Sequence, residues 1–126
     1  MLLDAGANAE CQPAWLVQFA LMGAVFARQR YGIDDPSVAL LSIGEEKSKG
    51  NELVKEAHAL LAAGVGVRFV GNVEGRDLLA EAADVIVTDG FTGNVALKIS
   101  ESLAEMIGAM MKEELTRDLR SKLGAA

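Results

Sequence analysis

A length of 126 residues allows one compact domain with a hydrophobic core and leaves too little chain for two. Hydrophobic residues at 51% and charged residues at 24% exclude a disordered chain, and a net charge of −6 without a basic cluster interleaved with aromatics excludes a nucleic-acid binder. One cysteine, Cys11, and one histidine, His58, exclude an intrachain disulfide and a Cys/His zinc site. No apolar run approaches the ~20 residues of a membrane-crossing helix, and Met1-Leu2-Leu3-Asp4 lacks the basic start of a secretory signal, so the expected location is cytoplasmic.

In chain order, Leu2-Leu3-Asp4 reads as a first strand, followed by the loop Ala5-Gly6-Ala7-Asn8 and a helix that Pro13 opens and Gly32 stops. Trp15, Phe19, Met22 and Phe26 recur at spacings of four, three and four, which predicts one buried face, with Gly23 beside it permitting close packing. Residues 37–43 are too uniformly apolar for a strand with one wet face and are expected as a parallel strand covered on both sides. A polar loop over 44–51 precedes a helix over about 52–63 that buries Leu53, Ala57, Leu60 and Leu61 and ends at Gly64. Residues 67–70 form the third strand with 71–75 as its exit loop. Residues 84–88 form the fourth, and 89–94 lead into a final helix over about 94–123. This alternation predicts a single α/β domain over 1–126, an open, mostly parallel sheet with helices on both faces and right-handed crossovers.

Gly-Asn recurs at 50–51, 71–72 and 93–94, with Gly6 and Asn8 as a looser version. Loops leaving the C-terminal ends of parallel strands share one edge, where ligands bind. Glycine lets backbone approach a ligand, Asn brings donors and an acceptor, and the helix N-termini beyond carry unpaired N–H groups suited to phosphate. The pattern points to an anion-binding crest, although the same residues also serve as plain turns and caps. No P-loop or dinucleotide fingerprint accompanies it. Asp4 and Asp89 each end an apolar strand, where capping competes with catalysis as the role of a buried carboxylate. Lys98, one turn beyond Asn94, meets an anion or pairs with a nearby carboxylate. Cys11 has no neighbouring base and reads as unactivated, and His58, near Val54 and Leu61, reads as a packed or surface histidine.

Five stretches together carry a family resemblance: Leu3-Asp4-Ala5-Gly6-Ala7-Asn8, Gln18-Phe19-Ala20-Leu21-Met22-Gly23, Leu41-Ser42-Ile43-Gly44-Glu45-Glu46 with Lys49-Gly50-Asn51-Glu52, Gly71-Asn72-Val73-Glu74-Gly75-Arg76-Asp77, and Asp89-Gly90-Phe91-Thr92-Gly93-Asn94-Val95-Ala96-Leu97-Lys98. They resemble the motifs of the PlsX family of phosphate acyltransferases in order and spacing, with Ser42 where the family has Asn. The resemblance implies a three-layer fold shared with isocitrate dehydrogenases and phosphotransacetylases. It implies transfer of a fatty acyl group from acyl-acyl carrier protein to inorganic phosphate, giving acyl phosphate for phospholipid synthesis. It further implies a homodimer and a chain that is the C-terminal part of a longer acyltransferase and holds half of a cleft; no cofactor and no metal are expected.

On this reading phosphate attacks the thioester directly, and the protein orients both partners and stabilises the developing oxyanion. The expected catalytic residues are Asp89, Lys98 and Glu74; the expected substrate-binding residues are Asp4, Asn8, Lys49, Asn51, Asn72, Thr92 and Asn94. Leu103, Ile107, Met111, Leu115, Leu119 and Leu123 repeat every four residues along the final helix and are expected to meet the core or a twin subunit. Arg117, Arg120 and Lys122 near its tip suit peripheral contact with anionic lipid at the inner face of the membrane and hand-off to a membrane glycerol-3-phosphate acyltransferase. Two alternatives stay open: a phosphotransacetylase-like enzyme using acyl-coenzyme A, and a non-catalytic dimerisation or ligand-binding domain.

Overall fold

The computed structural model describes residues 1–124, without the side chains of 119–122. Strands β1 (Leu2–Leu3), β2 (Ser37–Leu41), β3 (Arg68–Val73) and β4 (Val85–Val87) form one sheet in the order β1-β4-β2-β3, with every pair parallel. Helix α1 (Pro13–Tyr31) joins β1 to β2, α2 (Glu52–Ala62) joins β2 to β3, and a 3-10 turn (Gly75–Leu79) leads towards β4. Helix α3 (Gly90–Gly124) follows β4. The expected α/β class and parallel sheet are therefore present. The chain divides into two compact units, Met1–Asn94 and Val95–Ala126.

In the first unit the period of two along each strand sorts the core. Val38, Leu40, Val85 and Val87 pack with Leu16, Phe19, Ala20, Ala24, Ala57 and Leu61 of α1 and α2. Ala39, Leu41, Val73 and Ile86 point the other way and meet Leu2, Leu78 and Ala83. Each fully buried Leu or Val contributes about 1.5–3 kcal/mol of burial free energy, and the first cluster, with more such residues, contributes the larger share of it.

The buried face of α1 differs from the expected stripe. Trp15, Met22 and Phe26 are exposed, and the face that packs is Leu16, Phe19, Ala20, Gly23, Ala24 and Ala27. The cause is distance: a Cβ on Gly23 would lie 2.5 Å from Val85 Cγ1, so only small residues let the helix approach β4 this closely. Phe26 instead meets Tyr31 edge-on, with centroids 5.9 Å apart. On α2, Ala57 and Leu61 are buried but Leu60 is exposed, against the expected burial of both leucines.

Two boundaries also move. β3 continues through Gly71, Asn72 and Val73, which were expected in an exit loop. A bulge lets it do so: Val38 pairs with Phe69 and Ala39 with Gly71, so Val70 is the extra residue, and Gly71 takes φ +104°, a conformation glycine tolerates. Helix α3 starts at Gly90 rather than near Asn94 because Asp89 caps it.

At the far end of the sheet, Asp84 Oδ2 accepts from Ser37 N and Ser37 Oγ, both at 2.7 Å, and Arg68 Nη2 lies 3.9 Å away. Those bonds from Ser37, aided by Arg68, hold the Asp84 carboxyl below its ordinary range. One side chain thus ties the starts of β2, β3 and β4. Asp84→Ala is expected to cost about 1–3 kcal/mol, read as a lower urea midpoint at unchanged slope.

The second unit is the remainder of α3. Lys98 pairs with Glu101 at 3.1 Å, and Ser100 Oγ donates to Ala96 O at 2.8 Å. Leu103, Ile107, Met111, Leu115 and Leu123 of the apolar stripe are exposed, as are Met106 and Met110. The side chains of Leu119, Arg120 and Lys122, invoked above for the stripe and the lipid-facing tip, lie outside the described residues. Among the described residues, no helix is long and apolar enough to cross a membrane.

Candidate functional site

The C-terminal ends of β2, β3 and β4 open onto one cleft of ≈ 710 Å³. Its wall includes Ser42 beyond β2, Asn51 at the start of α2, Glu74 beyond β3, and Thr88, Asp89 and Thr92 around the start of α3. β4 lies beside β2 although β3 separates them in sequence, and such reversals of strand order are where open α/β sheets bind ligands.

Each wall residue is set by local structure. Asn51 is the N-cap of α2: its Oδ1 accepts from Val54 N at 3.0 Å. Asp89 caps α3 with both oxygens, one from Thr92 N and one from Thr92 Oγ1, each at 2.8 Å. Glu74 caps the 3-10 turn in a reciprocal box with Asp77 and lies 3.3 Å from Arg76 Nε. Thr88 is buried, and the Ser42 Oγ is enclosed with no hydrogen-bond partner among the described residues.

Asp4 and Asn8 do not line this cleft; they build the floor under α3. The Asp4 carboxylate, 4% exposed, accepts from the N–H groups of Gly6, Ala7 and Asn8 at 3.0, 3.0 and 2.7 Å and from Asn8 Nδ2 at 3.1 Å. Burial pushes its pKa up, but the bonds from Ala7, Asn8 and Gly6 together outweigh burial, and the net direction is down. Asn8 O then accepts from Gly90 N at 2.8 Å. Gly90 and Gly93 make this approach possible, because a Cβ on either would strike the Asn8 or Asp4 backbone. Asn94 lies against Gly6, where an added Cβ would be 3.5 Å from the Asn94 side chain.

The remaining expected site residues are placed as follows. Asn72, 7% exposed, bonds to His58 and to the backbone of Glu46 rather than lining the cleft. Lys49 is exposed on the turn before Gly50, and Lys98 belongs to the second unit. The structure thus gathers Asn51, Glu74, Asp89 and Thr92 around one cleft; Asp4 and Asn8 pack against the first turn of α3, and Asn94, within that turn, lies against Gly6.

A smaller hollow of ≈ 460 Å³ shares Asn51, Asp89 and Thr92 and includes Cys11. The Cys11 thiol donates to Asn8 O at 3.4 Å. Burial first, and then the charges of Asp89 and Asp4, raise its pKa against the opposing bond from Gly90, so this thiol is a poor nucleophile. Among the described residues, no group of three or more His, Cys, Asp or Glu is gathered to hold a metal.

Ser42 and Thr88 are cleft residues that the sequence reading did not select. Both sit at or just beyond the last residue of an apolar strand, and that position was the available signal.

All of residues 1–126 match the family model described as fatty acid synthesis protein. The chain is similar to the phosphate acyltransferase of Thermus thermophilus, 56% identical over 124 residues that make up 98% of this chain and 38% of the relative. It is 54% identical to that of Elusimicrobium minutum over 125 residues, 99% of this chain and 36% of the relative. The phosphate acyltransferase of Aquifex aeolicus is also 54% identical over 125 residues, 99% of this chain and 37% of the relative. The chain therefore spans little more than a third of the length of these relatives. With residues 1–126 matched by that model, and with relatives more than 50% identical over nearly all of its length, the chain belongs to the fatty acid synthesis protein family.

Proposed function

We propose that this chain carries the phosphate-holding side of an acyltransfer site, where a fatty acyl group passes from the thioester of acyl carrier protein to inorganic phosphate. The observation that supports it is the convergence of three strand ends and the start of α2 on a single cleft. The first N–H groups of α2, beyond the one capped by Asn51, have no partner inside the helix and suit phosphate oxygens. Lys49 offsets phosphate charge, and Asp89, Glu74 and Thr92 orient the cleft wall.

In the reaction a phosphate oxygen forms a bond to the thioester carbonyl carbon and the carbon–sulfur bond breaks. Acyl phosphate and a thiol result, with the thiolate taking up a proton. Phosphate is nucleophilic enough for this without a covalent acyl-enzyme, so positioning and oxyanion stabilisation are what the protein supplies. The relatives' name, phosphate acyltransferase, supports the reaction class. Acyl carrier protein as donor, supply of phospholipid synthesis and assembly as a homodimer complete the reading.

Trapping of acyl phosphate with hydroxylamine tests it, with this segment in a complete acyltransferase and acyl-acyl carrier protein or acyl-coenzyme A as donor. Lys49→Ala is expected to lower phosphate-dependent product about 10²-fold. Undiminished product would remove Lys49 from the site, and product from acyl-coenzyme A alone would replace the donor.

A further inference from the structure

The loop that carries Lys49 and delivers Gly50 and Asn51 to the cleft is exposed over residues 45–49. Its one internal turn closes through Lys49 N, which donates to Glu46 O at 2.9 Å. That same carbonyl accepts a second hydrogen bond, from Asn72 Nδ2 at 3.1 Å. Asn72 is 7% exposed in the last turn of the β3 ladder, and its Oδ1 lies 2.9 Å from His58 Nδ1 on α2.

These contacts fix one another. Glu46 O is only an acceptor, so the nitrogen of the Asn72 amide must face it and the oxygen must face His58. His58 Nδ1 therefore carries the hydrogen of this bond. The ring also meets Phe69 edge-on, with centroids 5.1 Å apart. We infer that His58 and Asn72 are positioning residues: through the Glu46 carbonyl they hold the 46–49 turn, and with it Lys49 and the Gly50-Asn51 wall, in place at the cleft. Its bearing on phosphate rests on the function proposed above; the mechanical link does not.

Amide hydrogen exchange and phosphate titration on the whole chain read the two parts separately. In Asn72→Ala, exchange at the Lys49 amide is expected to rise about tenfold relative to the amides of Val38 and Leu40 in the core, and phosphate affinity to fall about tenfold. His58→Leu is expected to do the same about threefold, while His58→Asn, which returns an N–H near the Nδ1 position, recovers most of the loss. In a Lys49→Ala background, Asn72→Ala is expected to lower phosphate affinity less than it does in the original chain, because part of its effect runs through Lys49.

Unchanged exchange at Lys49, or a rise shared equally by the core strands, overturns the inference. So does a loss of phosphate affinity that is as large without Lys49 as with it. Should Asn72→Ala fail to fold, the two His58 variants decide the matter. If the unaltered chain does not respond to phosphate, the proposed function fails for this chain, and the exchange data alone still decide whether His58 and Asn72 hold the turn.

Discussion

Gly93→Ala is expected to unfold the first unit, or to leave it only marginally folded. Gly93 lies in the first turn of α3 directly over the backbone carbonyl of Asp4, and an added Cβ would run into that oxygen and its carbon. Neither neighbour is a flexible side-chain end. Asp4 is held by four hydrogen bonds and by pairing to β4 through Asp4 N and Thr88 O at 3.0 Å, while Gly93 N is tied to Asp89 O at 3.0 Å. Relief of the overlap requires the turn over residues 90–93 to move away from Asp4, which breaks the bond from Gly90 to Asn8 and disturbs the Asp89 and Thr92 side of the cleft. A cost of about 3–5 kcal/mol is expected, a large share of the stability of a small domain. Urea unfolding followed by circular dichroism measures it. Gly108→Ala is the control: a Cβ there meets nothing within 4 Å, and the same chemical change in a helix interior is expected to stabilise by about 0.5–1 kcal/mol. A Gly93→Ala chain within 1 kcal/mol of the original, by the error typical of such extrapolations, would show that the floor yields where this packing says it cannot.

Asp4→Asn has the second largest expected effect, about 3 kcal/mol at neutral pH. The substitution keeps the shape and removes the charge, so three backbone N–H groups and the Asn8 amide face a group that offers one acceptor oxygen instead of two. Its pH dependence has a definite sign. Burial opposes ionisation of Asp4, but the bonds from Ala7, Asn8 and Gly6 prevail and the folded carboxyl titrates below its ordinary value of 3.8. The unfolded chain therefore binds the proton first as acid is added, so the stabilisation is complete above 3.8 and is lost as pH falls from there through the lower, folded-state value. The stability gap between the original chain and Asp4→Asn should narrow in that window. Asp84 also titrates low, and comparing the two chains cancels its contribution because it lies at the opposite end of the sheet. A gap that stays constant down to about pH 2.5 would mean that the ionised form of Asp4 is not what grips the loop.

Much of the framework was legible in the residues. Pro13 and Gly32 bound α1 as read, Asn51 caps α2, and of the apolar stretch over 37–43 the part from Ser37 to Leu41 is a parallel strand with Val38–Leu41 buried, while Ile43 lies beyond it and is exposed. Periodicity misjudged α1 because it weights large side chains, whereas close contact with Val85 selected the face bearing Ala20, Gly23, Ala24 and Ala27. Gly71-Asn72 looked like its fellow Gly-Asn pairs, yet a bulge absorbs Val70 and keeps both in β3, and nothing local to those residues announces where a partner strand will require the extra one. The cleft was legible as a set of strand exits. Which members line it was not, since Asp4 and Asn8 turn under α3 and Asn72 turns toward His58 through contacts distant in sequence.

The bonding around Asp4 also bears on what the neighbouring rim can select. Three successive amides curled about a carboxylate make a ready receptor for any oxyanion, and here the receptor is occupied from within by the chain's own side chain. With those three amides already satisfied by Asp4, this turn has no N–H of that set left to offer a diffusible anion.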